Sequence, residues 1–235
     1  MRRAGAGWVG VLEKTTIRDK ARSIWSRGAK RNIAKLVEVS WNHNIQYHRA
    51  VIQAIPATCR RALDVGCGRG ALAQKLARRS DAVLAVDVDQ ECLMRAQAAL
   101  HGEPRITFMQ GDVLTAPLVE DSFDFIAVVA TLHHLPLRAG LVRIRNLLRP
   151  GGVVAIVGLY RTASPVDYAF AAAAHPISRG IRLLRGEDEV GAPIADPVES
   201  LKEIRMACHA LFPGCVFKRR FFFRYTLTWQ KPRSE

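Results

Sequence analysis

Apolar residues recur along the chain in two rhythms. From Arg31 a helical spacing runs through Ile33, Leu36 and Val37, then Trp41, Ile45, Tyr47, His48, Val51 and Ile52, and Pro56 closes it. Short apolar runs then alternate with helical stretches. The pattern predicts strands over 61–65, 82–87, 105–110, 123–130 and 153–159, and helices over 71–79, 90–100 and 137–148, the last stopped by Pro150-Gly151-Gly152. The fourth run, FDFIAVVA, is apolar almost throughout. A strand without polar alternation is buried on both faces, so the expected fold is α/β, a parallel sheet with helices on each side. After the fifth strand the rhythm changes. Residues 165–184 are alanine-rich and predicted helical with Pro176 interrupting, 185–197 read as loop, 198–211 as helix, and 215–222 with 224–231 as an antiparallel strand pair. Residues 1–30 show no periodicity. The expected organisation is a basic arm over 1–30 and a single domain over 31–235, with a substrate-side insertion at about 160–197.

Composition changes this picture little and charge changes it more. A chain of 235 residues with 49% apolar and 24% charged positions has the makings of one large globular domain and not of a disordered one. The net charge is +14, and residues 1–39 carry half of it. A basic arm attracts nucleic acid or anionic lipid, although a solvated extension explains it more plainly. Five cysteines at 59, 67, 92, 208 and 215 form no CxxC pair, which speaks against a disulfide framework or a zinc site and fits a reducing cytoplasm. The run GAGWVGVL near the start is short, ends at Glu13-Lys14 and lacks a cleavage site. The longest apolar run, VVAIVGLY, falls well short of the ~20 residues of a membrane span. A soluble, cytoplasmic protein is expected.

The chemistry concentrates in LDVGCGRG, residues 63–70. Gly66-x-Gly68-x-x-Ala71 satisfies the dinucleotide fingerprint, and Asp87 ends the next strand 21 residues after Gly66. The loop alone fits NAD or another adenosine cofactor. Asp64, two residues before the first glycine, favours the second. A pyrophosphate would sit at the positive end of the following helix and be repelled by that carboxylate. S-adenosylmethionine instead carries a sulfonium and an ammonium, which an acid attracts. Asp112 follows Gly111 at the end of the third strand, where it could accept a hydrogen bond from an adenine amino group. Cofactors bind at the carboxyl ends of parallel strands, so Asp64, Asp87 and Asp112 would line one crevice.

These stretches, LDVGCGRG (63–70), AVDVD (85–89), GDVLTAPLVEDSFDFI (111–126), ATLHHLP (130–136) and LLRPGG (147–152), resemble the class I S-adenosylmethionine-dependent methyltransferases in the same order. The likeness is greatest to the small-molecule branch with the ubiquinone and menaquinone enzymes. The resemblance implies a Rossmann-like, doubly wound, seven-stranded sheet, mostly parallel with one antiparallel strand. It also implies Asp87 on the ribose hydroxyls, Asp112 on adenine, Val88 and Val113 beside them, and Gly66, Gly68 and Gly70 along the cofactor. WNHNIQYH (41–48) is similar to the helix that covers the cofactor in such enzymes, with Asn42 and Tyr47 as contacts. ATLHHLP stands where enzymes acting on adenine or glutamine nitrogens carry an Asn/Asp-Pro-Pro-aromatic stretch, which argues against that chemistry. His133 and His134 are the candidate catalytic residues, with His133 preferred because the family places a pocket-facing residue there. Tyr160, Tyr168 and Phe170 suggest a lid over a partly apolar acceptor. No acid or histidine cluster has metal-ligand spacing. The expected function is methyl transfer to oxygen or carbon of a small molecule, with RNA as the alternative acceptor and the basic arm as its reason.

Overall fold

A computed structural model of the chain describes residues 45–164, 167, 196–220 and 223–233. In chain order the elements are α1 (Ile45–Gln53), β1 (Arg61–Val65), α2 (Ala73–Leu76), β2 (Ala82–Asp87), α3 (Gln90–Ala99), β3 (Ile106–Gln110), β4 (Phe123–Val129), a 3-10 turn (Leu132–His134), α4 (Leu137–Leu147), β5 (Leu148–Leu159), α5 (Leu201–Leu211), β6 (Val216–Arg220) and β7 (Arg224–Gln230). The strands form one seven-stranded sheet in the order β3-β2-β1-β4-β5-β7-β6. The first five strands pair in parallel, and β7 inserts antiparallel between β5 and β6. This is the α/β doubly wound sheet expected from the sequence.

Central β4 shows why the pattern is readable. Ile126 and Val128 feed a core with Leu141, Ile144 and Leu147 of α4 and Ile204 and Leu211 of α5. Phe125 and Ala127, which alternate with them, feed the opposite core with Val51 of α1, Leu76 of α2 and Leu93 of α3. Successive side chains of a strand point to opposite faces, so a strand that serves two cores must be apolar throughout.

Three expectations need revision. The helix expected over 71–79 is only Ala73–Leu76, because the Arg78 and Arg79 N–H groups bond to Lys75 and Leu76 carbonyls three residues back and tighten the chain into turns. Pro150-Gly151-Gly152 does not separate α4 from β5 but lies inside β5, opposite an irregular register at Phe123–Phe125. A Cβ on Gly152 would lie 2.9 Å from the Phe123 and Arg149 carbonyl oxygens, so that close approach needs glycine. Tyr160, expected in a lid, is 2% exposed and packs in the α4/α5 core. Arg219 donates to its hydroxyl at 3.1 Å and pairs with Asp167 at 2.8 Å.

The basic arm, Asn42, Tyr168 and Phe170 lie outside the described residues, as does most of the expected insertion. No helix among the described residues is long and apolar enough to cross a membrane.

Candidate active site

The glycine loop turns sharply out of β1 and is tied to β2. Gly66 and Cys67 donate their N–H groups to the Val86 carbonyl at 2.8 and 3.1 Å, and Gly68 donates to Asp87 Oδ2 at 2.7 Å. Gly66 has φ of 70°, in the left-handed region, and an added Cβ would lie 2.1 Å from Thr131 Oγ1. Only glycine satisfies both conditions at this position. Gly70 packs on Leu100, whereas a Cβ on Gly68 would meet nothing within 4 Å. Gly68 therefore faces open space.

The three acids behave differently. Asp64 lies beneath the loop rather than at its mouth, 1% exposed. Its carboxyl is pushed up to about 7 by burial first and by the charge of Asp87 second, while the Ala73 N–H pulls it back down. Asp64 Oδ2 is buried and has no hydrogen-bond partner among the described residues. Asp87 accepts from Gly68 N–H through Oδ2 and from Asp89 N–H through Oδ1 at 3.0 Å, so it braces the loop it borders. Gly111 N–H donates to the Asp87 carbonyl at 2.9 Å, which sets the β3 exit beside β2. There Asp112 accepts from Leu114 N–H at 2.9 Å and closes a turn. Val88 is 64% exposed next to Asp87, whereas the Val113 side chain is buried in the core.

Two groups that the sequence reading passed over shape this region. Arg143 of α4 donates to the carbonyls of Val113 (3.1 Å), Ala116 (2.9 Å) and Leu118 (3.1 Å), holding the loop after Asp112 from below. Ala130, at the end of β4, has φ of 53°, a conformation that disfavours a side chain, and its N–H donates to the Val157 carbonyl at 2.7 Å. That bend leads into the 3-10 turn carrying His133 and His134.

His133 is half-buried and His134 is exposed, with their ring centroids 4.1 Å apart. His133 Nδ1 is buried without a hydrogen-bond partner among the described residues. Burial, then the neighbouring His134 and Arg224, lower its pKa to about 4. Arg224, at the start of β7, is a third residue the sequence did not single out. It is 9% exposed, and burial lowers its pKa to about 10. Tyr47, half-buried on α1, is among its neighbours and acts in the opposite direction. The next residue, buried His48, presents Nδ1 to Lys75 Nζ at 3.1 Å, a structural contact.

Asp64, the glycines, Asp87, Asp112 and His133 thus gather at the carboxyl ends of β1–β4. The adenosyl donor expected from the sequence fits them. An unpartnered buried carboxylate oxygen calls for a hydrogen-bonding cation, and Gly68 leaves room for a ligand against the backbone. Among the described residues no group of His, Cys, Asp and Glu side chains could hold a metal ion.

Comparison with known proteins agrees. Residues 62–152 match a family model described as a methyltransferase domain. An uncharacterized methyltransferase of Mycobacterium tuberculosis is 36% identical over 203 residues, covering 82% of this chain and 98% of that one. A demethylmenaquinone methyltransferase of Roseiflexus castenholzii is 35% identical over 118 residues, 49% of this chain and 50% of that one. A solved structure of a SAM-dependent methyltransferase from Aquifex aeolicus superposes with a TM-score of 0.55 at 16% identity, covering 84% of this chain and 97% of that one. A nearly full-length relative, the glycine loop and the acids at the strand ends lead to one conclusion: the chain belongs to the class I S-adenosylmethionine-dependent methyltransferases.

Proposed function

We propose that this enzyme methylates an oxygen or carbon atom of a small, partly apolar acceptor in the cytoplasm. When bound, S-adenosylmethionine supplies a methyl group on a sulfonium, a leaving group good enough that no protein nucleophile is needed. Asp87 would accept from the ribose hydroxyls and Asp112 from the adenine amino group, with exposed Val88 beside the base and Val113, its side chain in the core, meeting the base through its backbone. Asp64 would accept from the ammonium, Gly66, Gly68 and Gly70 would line the backbone side, and Asn42 and Tyr47 would cover it. The chain's remaining task is alignment and, for a hydroxyl acceptor, taking a proton.

His133 suits that task, and its buried, unpartnered Nδ1 is the observation that carries the proposal. A pKa lowered to about 4 leaves the ring neutral at pH 7, and a neutral imidazole keeps a lone pair on one of its two nitrogens that can accept an O–H. His134, more exposed, would steady the neighbouring ring. The relative that acts on demethylmenaquinone supports a quinone-like or phenolic acceptor class. Five buried thiols without a disulfide support the cytoplasmic setting.

A screen with methyl-labelled donor against phenolic, quinone-like and RNA acceptors tests the proposal. Label should enter a phenolic or quinone-like compound, and His133→Ala should lower kcat by about 10²-fold while leaving donor affinity within about twofold. Labelling of RNA alone would favour the alternative acceptor, for which the +14 charge speaks.

A further inference from the structure

Charge is divided along the sheet edge that carries the site. Asp64 is the penultimate residue of β1, Asp87 ends β2 and Asp112 follows β3. At the far end of the same edge, β6 finishes at Arg220 and β7 begins at Arg224. Because β7 runs antiparallel to β5, Arg224 stands in register with Leu159, the last residue of β5. Arg220 and Arg224 are direct cross-strand partners, so both side chains leave the same face of the sheet. Opposed guanidinium groups concentrate positive charge at this end of the sheet, and concentrated positive charge attracts an anion.

The surroundings favour an anion as well. Arg220 is half-buried and donates to Thr226 Oγ1 at 3.0 Å. It lines an open-sided pocket of about 80 Å³ with Lys218, Thr226 and Thr228, bordered by Ala50 and Val51 of α1. No described residue lining that pocket is acidic. Arg224 makes contacts of its own and brings its position and charge to this end of the sheet.

From this arrangement we infer that the methyl acceptor bears an anionic group, a carboxylate or a phosphate monoester, which Arg220 and Arg224 bind while His133 faces the reacting atom. The planar guanidinium fork matches two oxygens of either group. The β4 and β7 ends are two strand spacings apart, so anion and reacting atom would lie roughly 10 Å from each other. The inference rests on the small-acceptor reading given above.

Calorimetric titration of the full-length protein, saturated with S-adenosylhomocysteine, tests it. The probes are phenyl phosphate and benzoate, with phenol and benzamide as neutral counterparts. The anions should saturate in the millimolar range and bind about tenfold more tightly than their counterparts. Arg220→Gln and Arg224→Lys should each weaken anion binding by about tenfold, with S-adenosylhomocysteine affinity within about twofold of wild type. The better-bound anion identifies the group. Arg220 is half-buried, so its variant keeps the test decisive if the Arg224 variant melts early. No saturable anion binding to the loaded wild type would overturn the inference, as would unchanged anion affinity in both variants. Failure of S-adenosylhomocysteine to bind would remove the donor site and this inference together, whereas donor binding without anion binding sinks the inference alone. Much tighter binding of a single-stranded RNA oligomer, lost in the same variants, would assign the arginines to nucleic acid and overturn both the inference and the small-acceptor reading.

Discussion

Asp64 bears a sharp electrostatic conflict, a carboxyl buried beside another acid. Its carboxyl, which would ordinarily titrate near 3.8, is pushed up to about 7 in the fold, chiefly by burial. Between those pH values the folded chain holds a proton that the unfolded chain has released, so the stability this group contributes is present below about pH 4 and is lost as pH rises through 7. An ammonium bound against Asp64 Oδ2 would favour the ionised form, and donor binding would then release a proton. S-adenosylhomocysteine should therefore bind severalfold more tightly at pH 8 than at pH 6. In Asp64→Asn it should bind more weakly with no pH dependence over that range. Calorimetry in two buffers of different ionisation enthalpy reads both quantities, and an Asp64→Asn protein that kept the pH dependence would contradict the assignment. The acid's importance was legible from its spacing to Gly66, but its burial was not, since only the packing of α2 over β1 takes it from water. Arg224 was illegible for a related reason. One arginine in a chain this rich in them reads as surface, and only the antiparallel insertion of β7 carries it into the site.

At the scale of elements, α4 does more than cover the sheet. Arg143 reaches three carbonyls of the loop after Asp112 and lies 3.6 Å from Glu120. Charged hydrogen bonds of this kind contribute ~1.5–3 kcal/mol each when desolvated, and a half-buried group gives less. Arg143→Ala should weaken S-adenosylhomocysteine binding by about tenfold and lower Tm by a few degrees, with Arg143→Lys recovering part of the affinity. An Arg143→Ala enzyme with unaltered affinity would mean the loop holds its shape unaided. The parallel strands were readable because burial on both faces leaves an unbroken apolar run, as in FDFIAVV. The Ser200-x-x-Glu203 capping box that opens α5 was equally present in the sequence, and it places the helix start after the expected position 198. Pro150-Gly151-Gly152 misled because the strand starts before it, where Leu148 pairs with Phe123, and continues through an irregular register in which Gly151 and Gly152 bond to Lys231. Tyr160 misled because an aromatic after the last parallel strand can wall a pocket or fill a core, and α5 decides for the core.

At the scale of the whole molecule, one sheet edge carries both signs of charge: carboxylates at β1–β3 and arginines at β6–β7. The net charge of +14 thus hides a local negative crevice, which is what a cationic methyl donor requires. The central claim is that these carboxylates hold the donor, and Asp87 tests it most directly because it also braces the glycine loop. The measurement is the dissociation constant of S-adenosylhomocysteine for wild type and for Asp87→Ala, with NAD as the competing ligand and Tm as the folding control. The wild type should bind S-adenosylhomocysteine and not NAD, and the folded variant should bind it at least tenfold more weakly, about 1.4 kcal/mol. Equal affinity in a folded Asp87→Ala protein, or preference for NAD, would contradict the claim.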